Sequence, residues 1–300
     1  MPKTTPGHGE RQAVRTHGLG YVLVTPARDE QATLPATIES VTTQSVLPTE
    51  WVIVDDGSTD ATPRIAADAA AQHGWITVVT RDDEGRRMGS GSTFGDGVAH
   101  LTDDSWQLLG KLDADLRFGP DYFERLLRYM EDDPRLGIAG GAIHEGPEDD
   151  LQFVPHPMFH VRGAVKLYRR ACWDEVATVA TGVAYDTLDE VRANQLGWTT
   201  RTFRDLVVHH LRPTGGAVGR WPNATKNGRL AWVSGYHPIW QTVRAARVAI
   251  TTRSITGGVG LWWGYVRAAL TREPRCDRDL RRYVQQQQLR RLMGRPSIWR

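Results

Sequence analysis

Short apolar runs alternate with amphipathic segments through the first half of the chain, and this alternation restricts the fold more than any other feature. YVLVTP (21–26), WVIVDD (51–56) and ITVVTR (76–81) each read as a buried strand, and SWQLLGKLDAD (105–115) holds a fourth. Helical patterns lie between them. Leu34, Ile38 and Val41 recur at helical spacing, with Pro35 suited to a first turn. ATPRIAADAAAQHG reads as a helix closed by Gly74, and GPDYFERLLRYMED puts Phe123, Leu126, Leu127 and Met130 on one face. This succession predicts an α/β fold with a doubly wound, mostly parallel sheet and helices on both faces. After LGIAGGAIHE (136–145) the rhythm loosens. Helices over 168–176 and 185–196 and a strand over 202–210 predict a mixed second half, with helices from Trp232 onward.

A chain of 300 residues can form one large α/β domain with an appendage. The expected division is a disordered polar tail over 1–18, a domain over 19–212 and a mainly helical region over 213–300. A net charge of +2 demands no nucleic-acid partner, and none is expected. Cys172 and Cys276 cannot make a disulfide scaffold and fit a reducing compartment. The segment MPKTTPGHGERQAVRTHG has no apolar signal core, and no uncharged apolar run reaches the ~20 residues that span a bilayer. A cytoplasmic location follows as the expectation, and the sequon Asn223-Ala224-Thr225 is then chance.

Two of the strands end in paired acids. Asp55 and Asp56 close the second strand before Gly57-Ser58-Thr59, and Asp113 and Asp115 follow the fourth in KLDADLRFGP. Burying adjacent like charges is costly, so such a pair either sits at an open strand end and binds something or belongs to a polar turn. In open α/β sheets ligands bind at the carboxyl ends of the strands. An Asp-x-Asp there is a hard-oxygen site able to hold Mg²⁺ or Mn²⁺ against a diphosphate. A solvated turn or a helix cap is the ordinary account of any single Asp-x-Asp, but two acidic ends in one sheet favour the ligand site. Pro26 and Glu30 point to the same edge.

Taken together, TPARDE (25–30), VDDGSTD (54–60) and LDAD (112–115) resemble the motifs of glycosyltransferase family 2, the processive and non-processive sugar transferases of the GT-A fold. The resemblance covers roughly residues 20–212 and implies a GT-A catalytic domain over 19–212. It differs at Asp29, where Asn is usual. It implies a UDP- or GDP-sugar donor, with Asp55 and Asp56 on its base and ribose, Asp113 near the ribose and metal, and Asp115 on the metal. A divalent cation would neutralise the leaving diphosphate, and a general base would activate the acceptor hydroxyl from the opposite face. The family places that base downstream, where this chain has GVAYDTLDEVRANQLGW with Tyr185 in place of the commoner Glu. Asp186 is the expected base and Asp189, three residues on, its rival; a helix-dipole carboxylate is the plain alternative. The resemblance, with the one-base design, implies inversion at the sugar.

Other candidates carry less. GRRMGSGSTFGDG (85–97) reads either as a loop wrapping the nucleotide, with Arg86 near its phosphates, or as a solvated loop. His209 and His210 end a strand and face opposite ways; the resemblance favours His210 as a further metal ligand. VRGAVKLYRRACWDEV (161–176) resembles the family's acceptor-side segment, with Arg169 and Arg170 otherwise a solvated helix face. Trp262-Trp263, beside an arginine-rich end, reads first as core and second as a membrane interface. Trp240, Val243, Val248 and Ile250 are expected to pack back on the domain. The acceptor is expected to be a glycan, a polysaccharide or a lipid-linked saccharide, the last bringing the chain to the inner face of the membrane.

Two other functions share such a sheet. A nucleotidyltransferase would need a glycine-rich, basic loop after the first strand, and TPARDEQATLP is not one. A non-catalytic nucleotide-sugar-binding module would lack the metal or base carboxylates, and both are present.

Overall fold

The structure is a computed structural model that describes residues 18–81, 90–181, 185–212 and 220–299. The residues before 18, where the tail is expected, lie outside the described residues. Strands β1 (Tyr21–Ala27), β2 (Glu50–Asp55), β3 (Ile76–Thr80) and β4 (Leu108–Leu112) run parallel in the spatial order β3-β2-β1-β4. The chain leaves β1 on one side toward β2 and returns on the other at β4. That reversal opens a crevice at the carboxyl ends of β1 and β4.

The second half is mixed, as the loosened rhythm predicts. Strand β8 (Val165–Arg169) runs antiparallel between β4 and β6 (Leu136–Glu145), and β9 (Thr199–His210) lies parallel to β6. The short β5 (Leu116–Phe118) pairs antiparallel with β9, and β7 (Gln152–Phe153) pairs with β6. The helix expected from 168 therefore begins later. Tyr168 and Arg169 belong to β8, held on both edges by ladders, and α5 (Arg170–Ala180) starts only where that pairing ends.

Helices α1 (Leu34–Thr42), α2 (Thr62–Gln72), α3 (Ser90–Ala99), α4 (Tyr122–Asp132) and α6 (Tyr185–Gln195) complete this part. Strands β1 and β2 are buried on both faces. Leu23 and Ile53 enter one apolar cluster, and Val24 and Val54 enter another across the sheet. Helix α2 ends at Gln72 with His73 extended, so Gly74 is not its left-handed cap. The glycine-rich segment is not all loop, because residues 90–99 form α3. A Cβ on Gly97 would stand 2.3 Å from Val24 Cγ1, so the glycine lets α3 press onto the sheet.

Beyond the sheet come α7 (Arg220–Val233), α8 (Pro238–Thr251), α9 (Ile255–Leu270) and α10 (Arg278–Leu292), so helix begins a dozen residues before Trp232. Leu280 and Val284 of α10 pack with Leu188 and Val191 of α6 and with Trp299. Trp240 packs on this cluster, but Val243 and Ile250 do not return to the domain; Ile250 is 76% exposed. Trp262 and Trp263 are likewise outside the core, the latter 49% exposed. The cause is the other face of α9. Gly258, Gly260, Gly264 and Ala268 are buried, and a Cβ on Gly264 would lie 2.0 Å from the Thr225 carbonyl oxygen. Gly260 and Gly264 face α7 and Gly258 faces α8, which turns the bulky residues outward. Among the described residues, no helix is long and apolar enough to cross a membrane.

Candidate active site

The loops after β1 and β2 are clasped together. Asp29 has φ 54, a left-handed backbone that Asp and Asn tolerate better than most residues. Its Oδ1 accepts hydrogen bonds from the Thr59 N–H at 2.8 Å and the Thr59 hydroxyl at 3.2 Å, and its own N–H donates to Ser58 Oγ at 3.0 Å. The Glu30 N–H donates to Thr62 Oγ1 at 2.7 Å. Asp29 therefore positions the two motif loops against each other.

The adjacent carboxylates are buried but not uncompensated. Asp55 accepts from the Ser58 N–H at 3.2 Å, where Gly57 at φ 71 turns the chain. Asp56 Oδ1 receives a bond from Arg81 at 3.0 Å, and Arg28 stands 3.9 Å from Oδ2. Arg81 also pairs with Asp96 at 2.9 Å, tying β3 to α3.

At the mouth of the crevice lies a cleft of about 200 Å³. Of the sequence-predicted residues it brings together Pro26, Glu30, Asp56, Asp113 and Asp115, with Arg28, Thr93 and Arg212 beside them. Asp55 lies beneath the turn and does not line this space. Arg86 lies outside the described residues.

Asp115 is the electrostatic centre of the cleft. Its Oδ2 is 3.2 Å from His210 Nε2 and accepts from Arg212 Nε at 3.0 Å. Arg212 reaches on to Glu30. Burial works against ionisation of Asp115, but the hydrogen bond and charge of His210 and then Arg212 outweigh it, and its pKa is lowered. Burial likewise disfavours the charged His210, yet Asp115 and Glu145 raise its pKa. The other ring nitrogen of His210 lies 3.3 Å from Glu145 Oε1. A carboxylate behind an imidazole is how metal-binding histidines are usually oriented.

Among the described residues no three His, Cys, Asp or Glu side chains converge on one metal position. Asp115 and His210 nevertheless fit a cation of the Mg²⁺ or Mn²⁺ type. Such ions take one or two protein ligands and complete their shell with water and substrate phosphate, and imidazole is acceptable to the softer of them.

Across the cleft floor, Lys111 Nζ lies 2.5 Å from both Asp113 Oδ1 and the Gly163 carbonyl. Burial, opposed by Lys111 and aided by Asp115 and Asp186, raises the pKa of Asp113. Asp186 stands in the first turn of α6, exposed, with its carboxylate over Gly163; a Cβ there would sit 1.9 Å from Oδ1. Asp189 points elsewhere. It is fully buried, 2.8 Å from Lys166 Nζ, and it accepts from the Tyr168 hydroxyl at 2.7 Å. Lys166 also pairs with Glu190 at 2.8 Å and donates to the Asp186 carbonyl at 3.2 Å. These partners overcome burial and raise its pKa. Lys166 thus anchors the start of α6 from beneath.

Sequence reasoning missed Arg81, Lys111, Lys166, Glu145 and Arg212. A lysine inside an apolar strand, as in LLGKL and VKLYR, is the signal that could have found two of them. Arg169 donates to the carbonyls of Asp133, just past α4, and Leu136, at the start of β6, and is not a solvated helix residue.

Comparison with known proteins agrees with this fold. A putative glycosyltransferase, EpsH, of Bacillus subtilis (strain 168) is 30% identical over 109 residues, which cover 35% of this chain and only 28% of that relative. The mannosyltransferase PcManGT from Pyrobaculum calidifontis, solved with GDP-Man and Mn²⁺, superposes with a TM-score of 0.56 at 17% identity, covering 83% of this chain and 73% of that one. Glucosyl-3-phosphoglycerate synthase from Mycobacterium tuberculosis, solved with Mn²⁺, UDP and glucosyl-3-phosphoglycerate, gives 0.51 at 19% identity, covering 73% and 82%. These likenesses show the GT-A fold. The pattern of the family described as "Glycosyl transferase family 2" matches residues 22–184, more than half the chain and the whole span from β1 to the mouth of α6. On that match the chain belongs to glycosyl transferase family 2, a family of transferase enzymes.

Proposed function

We propose that this protein transfers a sugar from a UDP- or GDP-sugar to the hydroxyl of a glycan, polysaccharide or lipid-linked acceptor, with inversion at the anomeric carbon. The observation that carries the reading is the cleft at the sheet's switch point that Asp113 and Asp115 line, with His210 against Asp115 and the charge of Asp186 felt by Asp113. The Mn²⁺ and nucleotide ligands of the structural relatives support the same reading. A cytoplasmic location belongs to the same proposal.

In this reading Asp56 meets the base and ribose, with Asp55 holding the turn beneath it and Pro26 and Glu30 at the same edge. Asp113, held by Lys111, meets the ribose. Asp115 and His210 hold Mg²⁺ or Mn²⁺, with Glu145 fixing the imidazole. The bound cation supplies charge neutralisation for the departing diphosphate. Arg212 and Arg28 add fixed positive charge at the same mouth. Asp186 takes the acceptor proton, because it is the exposed carboxylate of the pair whose other member, Asp189, is sealed in an ion-paired core. A design with Asp186 as its single base suits a one-step displacement.

The test is a screen of isotopically labelled UDP- and GDP-sugars for binding and slow hydrolysis with and without Mn²⁺. One donor should bind and hydrolyse only with the cation. Equal behaviour of all donors with and without Mn²⁺ would remove the proposal.

A further inference from the structure

Helices α8 and α9 form a hairpin whose outer surface is apolar on both legs. Along α9 the outward positions are Ile255, Val259, Trp262, Trp263, Val266 and Leu270, spaced as one helical face. Ile255 and Leu270, at its two ends, are 76% and 75% exposed. Along α8 the matching face is Ile239, Val243, Ala246 and Ile250. Between the legs runs an open apolar groove of about 480 Å³, floored by Ala245, Ala249 and Gly258. A soluble surface rarely carries so continuous an apolar face without a partner.

Charge selects among the partners. From Leu206 to Arg272 the sequence has no aspartate or glutamate at all. Arg247, Arg253, Arg267 and Arg272 are exposed on or beside the hairpin. A second copy of this chain would set arginines against arginines with no carboxylate on the hairpin to pair them, which costs association. A surface both oily and negative satisfies both features at once. Arginine side chains can lay their stems along the apolar face and raise their heads to phosphates, and tryptophans suit that boundary.

We propose that the outer face of the α8–α9 hairpin docks flat on an anionic lipid bilayer. The hairpin lies in the headgroup region, because neither helix is long and apolar enough to cross. This attachment is independent of the sugar-transfer reading, since nothing in it uses the cleft.

The experiment is co-sedimentation of the full chain with vesicles of phosphatidylcholine alone and of phosphatidylcholine mixed with phosphatidylglycerol, at low and high salt, with no donor present. The chain should pellet with the anionic vesicles at low salt and less at high salt. Ile255→Gln with Trp263→Gln should weaken partitioning about tenfold or more. Arg247→Gln with Arg267→Gln should weaken it about fivefold per arginine at low salt. All four side chains are exposed, and circular dichroism checks that the variants fold. Retention of wild type in the supernatant would overturn the proposal. So would unchanged partitioning of both variants, or a wild-type dimer that the first variant makes monomeric while vesicle binding is unaltered.

Discussion

Asp115 Oδ2 and His210 Nε2 meet at 3.2 Å although 95 residues separate them in sequence. The antiparallel pairing of β5 with β9 sets Leu116 opposite His210, so the carboxylate one residue earlier is delivered to the imidazole by sheet register. Arg212, two residues past His210, closes the group by bridging Asp115 to Glu30. A carboxylate held this way is placed before any ligand arrives.

Asp115→Asn should therefore remove cation-dependent turnover by a factor of ~10² or more while the fold persists. Asp113→Asn should also be severe. Steady-state rates over a Mn²⁺ and Mg²⁺ series, with circular dichroism on the same samples, check this. Full activity of Asp115→Asn would rule out its place on the metal.

The two acids of α6 should separate cleanly. Asp186→Asn should keep donor affinity and lose ~10²–10⁴ in transfer rate, as expected for a positioned base. Asp189→Asn should instead destabilise the protein, because it strips a partner from the buried Lys166; breaking such a pair costs ~3–5 kcal/mol. Donor titration, single-turnover rates and urea melts on both variants make the distinction. A stable, inactive Asp189→Asn beside an active Asp186→Asn would move the base by one helical turn.

His156 gives a stability signature away from the cleft. Burial lowers its pKa from 6.5 to about 4, against the pull of the Val154 carbonyl that its Nδ1 meets at 2.7 Å. The folded protein holds this ring neutral while the unfolded chain takes up a proton below pH 6.5. Its contribution is complete above that pH and is lost as the pH falls toward about 4. Urea midpoints measured from pH 7 downward should fall more steeply for wild type than for His156→Gln. Parallel curves would show that the ring is not the source.

Much of the site was legible because its acids follow apolar runs. WVIVDD and LLGKLDAD announce a strand and its end in consecutive residues, so Asp55, Asp56, Asp113 and Asp115 could be placed at one sheet edge. The groups that compensate them could not. Arg81 and Arg212 arrive from other strands, and nothing local in either sequence tells which carboxylate they meet. The helix that the sequence predicts over 168–176 takes in the last two residues of β8, because Lys166 and Arg169 interrupt the strand's apolar pattern. Their charges are met by Asp189, Glu190 and the Asp133 carbonyl at the end of α4, partners that only the tertiary fold supplies. The outward face of α9 comes only second to core packing in the sequence for a related reason. Its glycines are as important as its tryptophans, and composition alone does not say which side is packed.

Gly163 offers the sharpest check on the placement of Asp186. Its carbonyl is gripped by Lys111, which also holds Asp113, and its Cα faces the Asp186 carboxylate. A methyl group added there would stand 1.9 Å from Oδ1 and 2.6 Å from Cγ, so the carboxylate must move. The displaced group is the end of an exposed side chain, so the fold should lose little, within about 1 kcal/mol. A base shifted by about 1 Å, however, can cost ~10² in rate. Gly163→Ala should thus leave the urea midpoint and donor affinity near wild type and lower the transfer rate by one to two orders of magnitude. Combining it with Asp186→Asn should add little, because both remove the same positioned group. If Gly163→Ala transfers sugar at the wild-type rate, or if its effect multiplies fully with that of Asp186→Asn, the carboxylate over Gly163 is not the one that takes the acceptor proton.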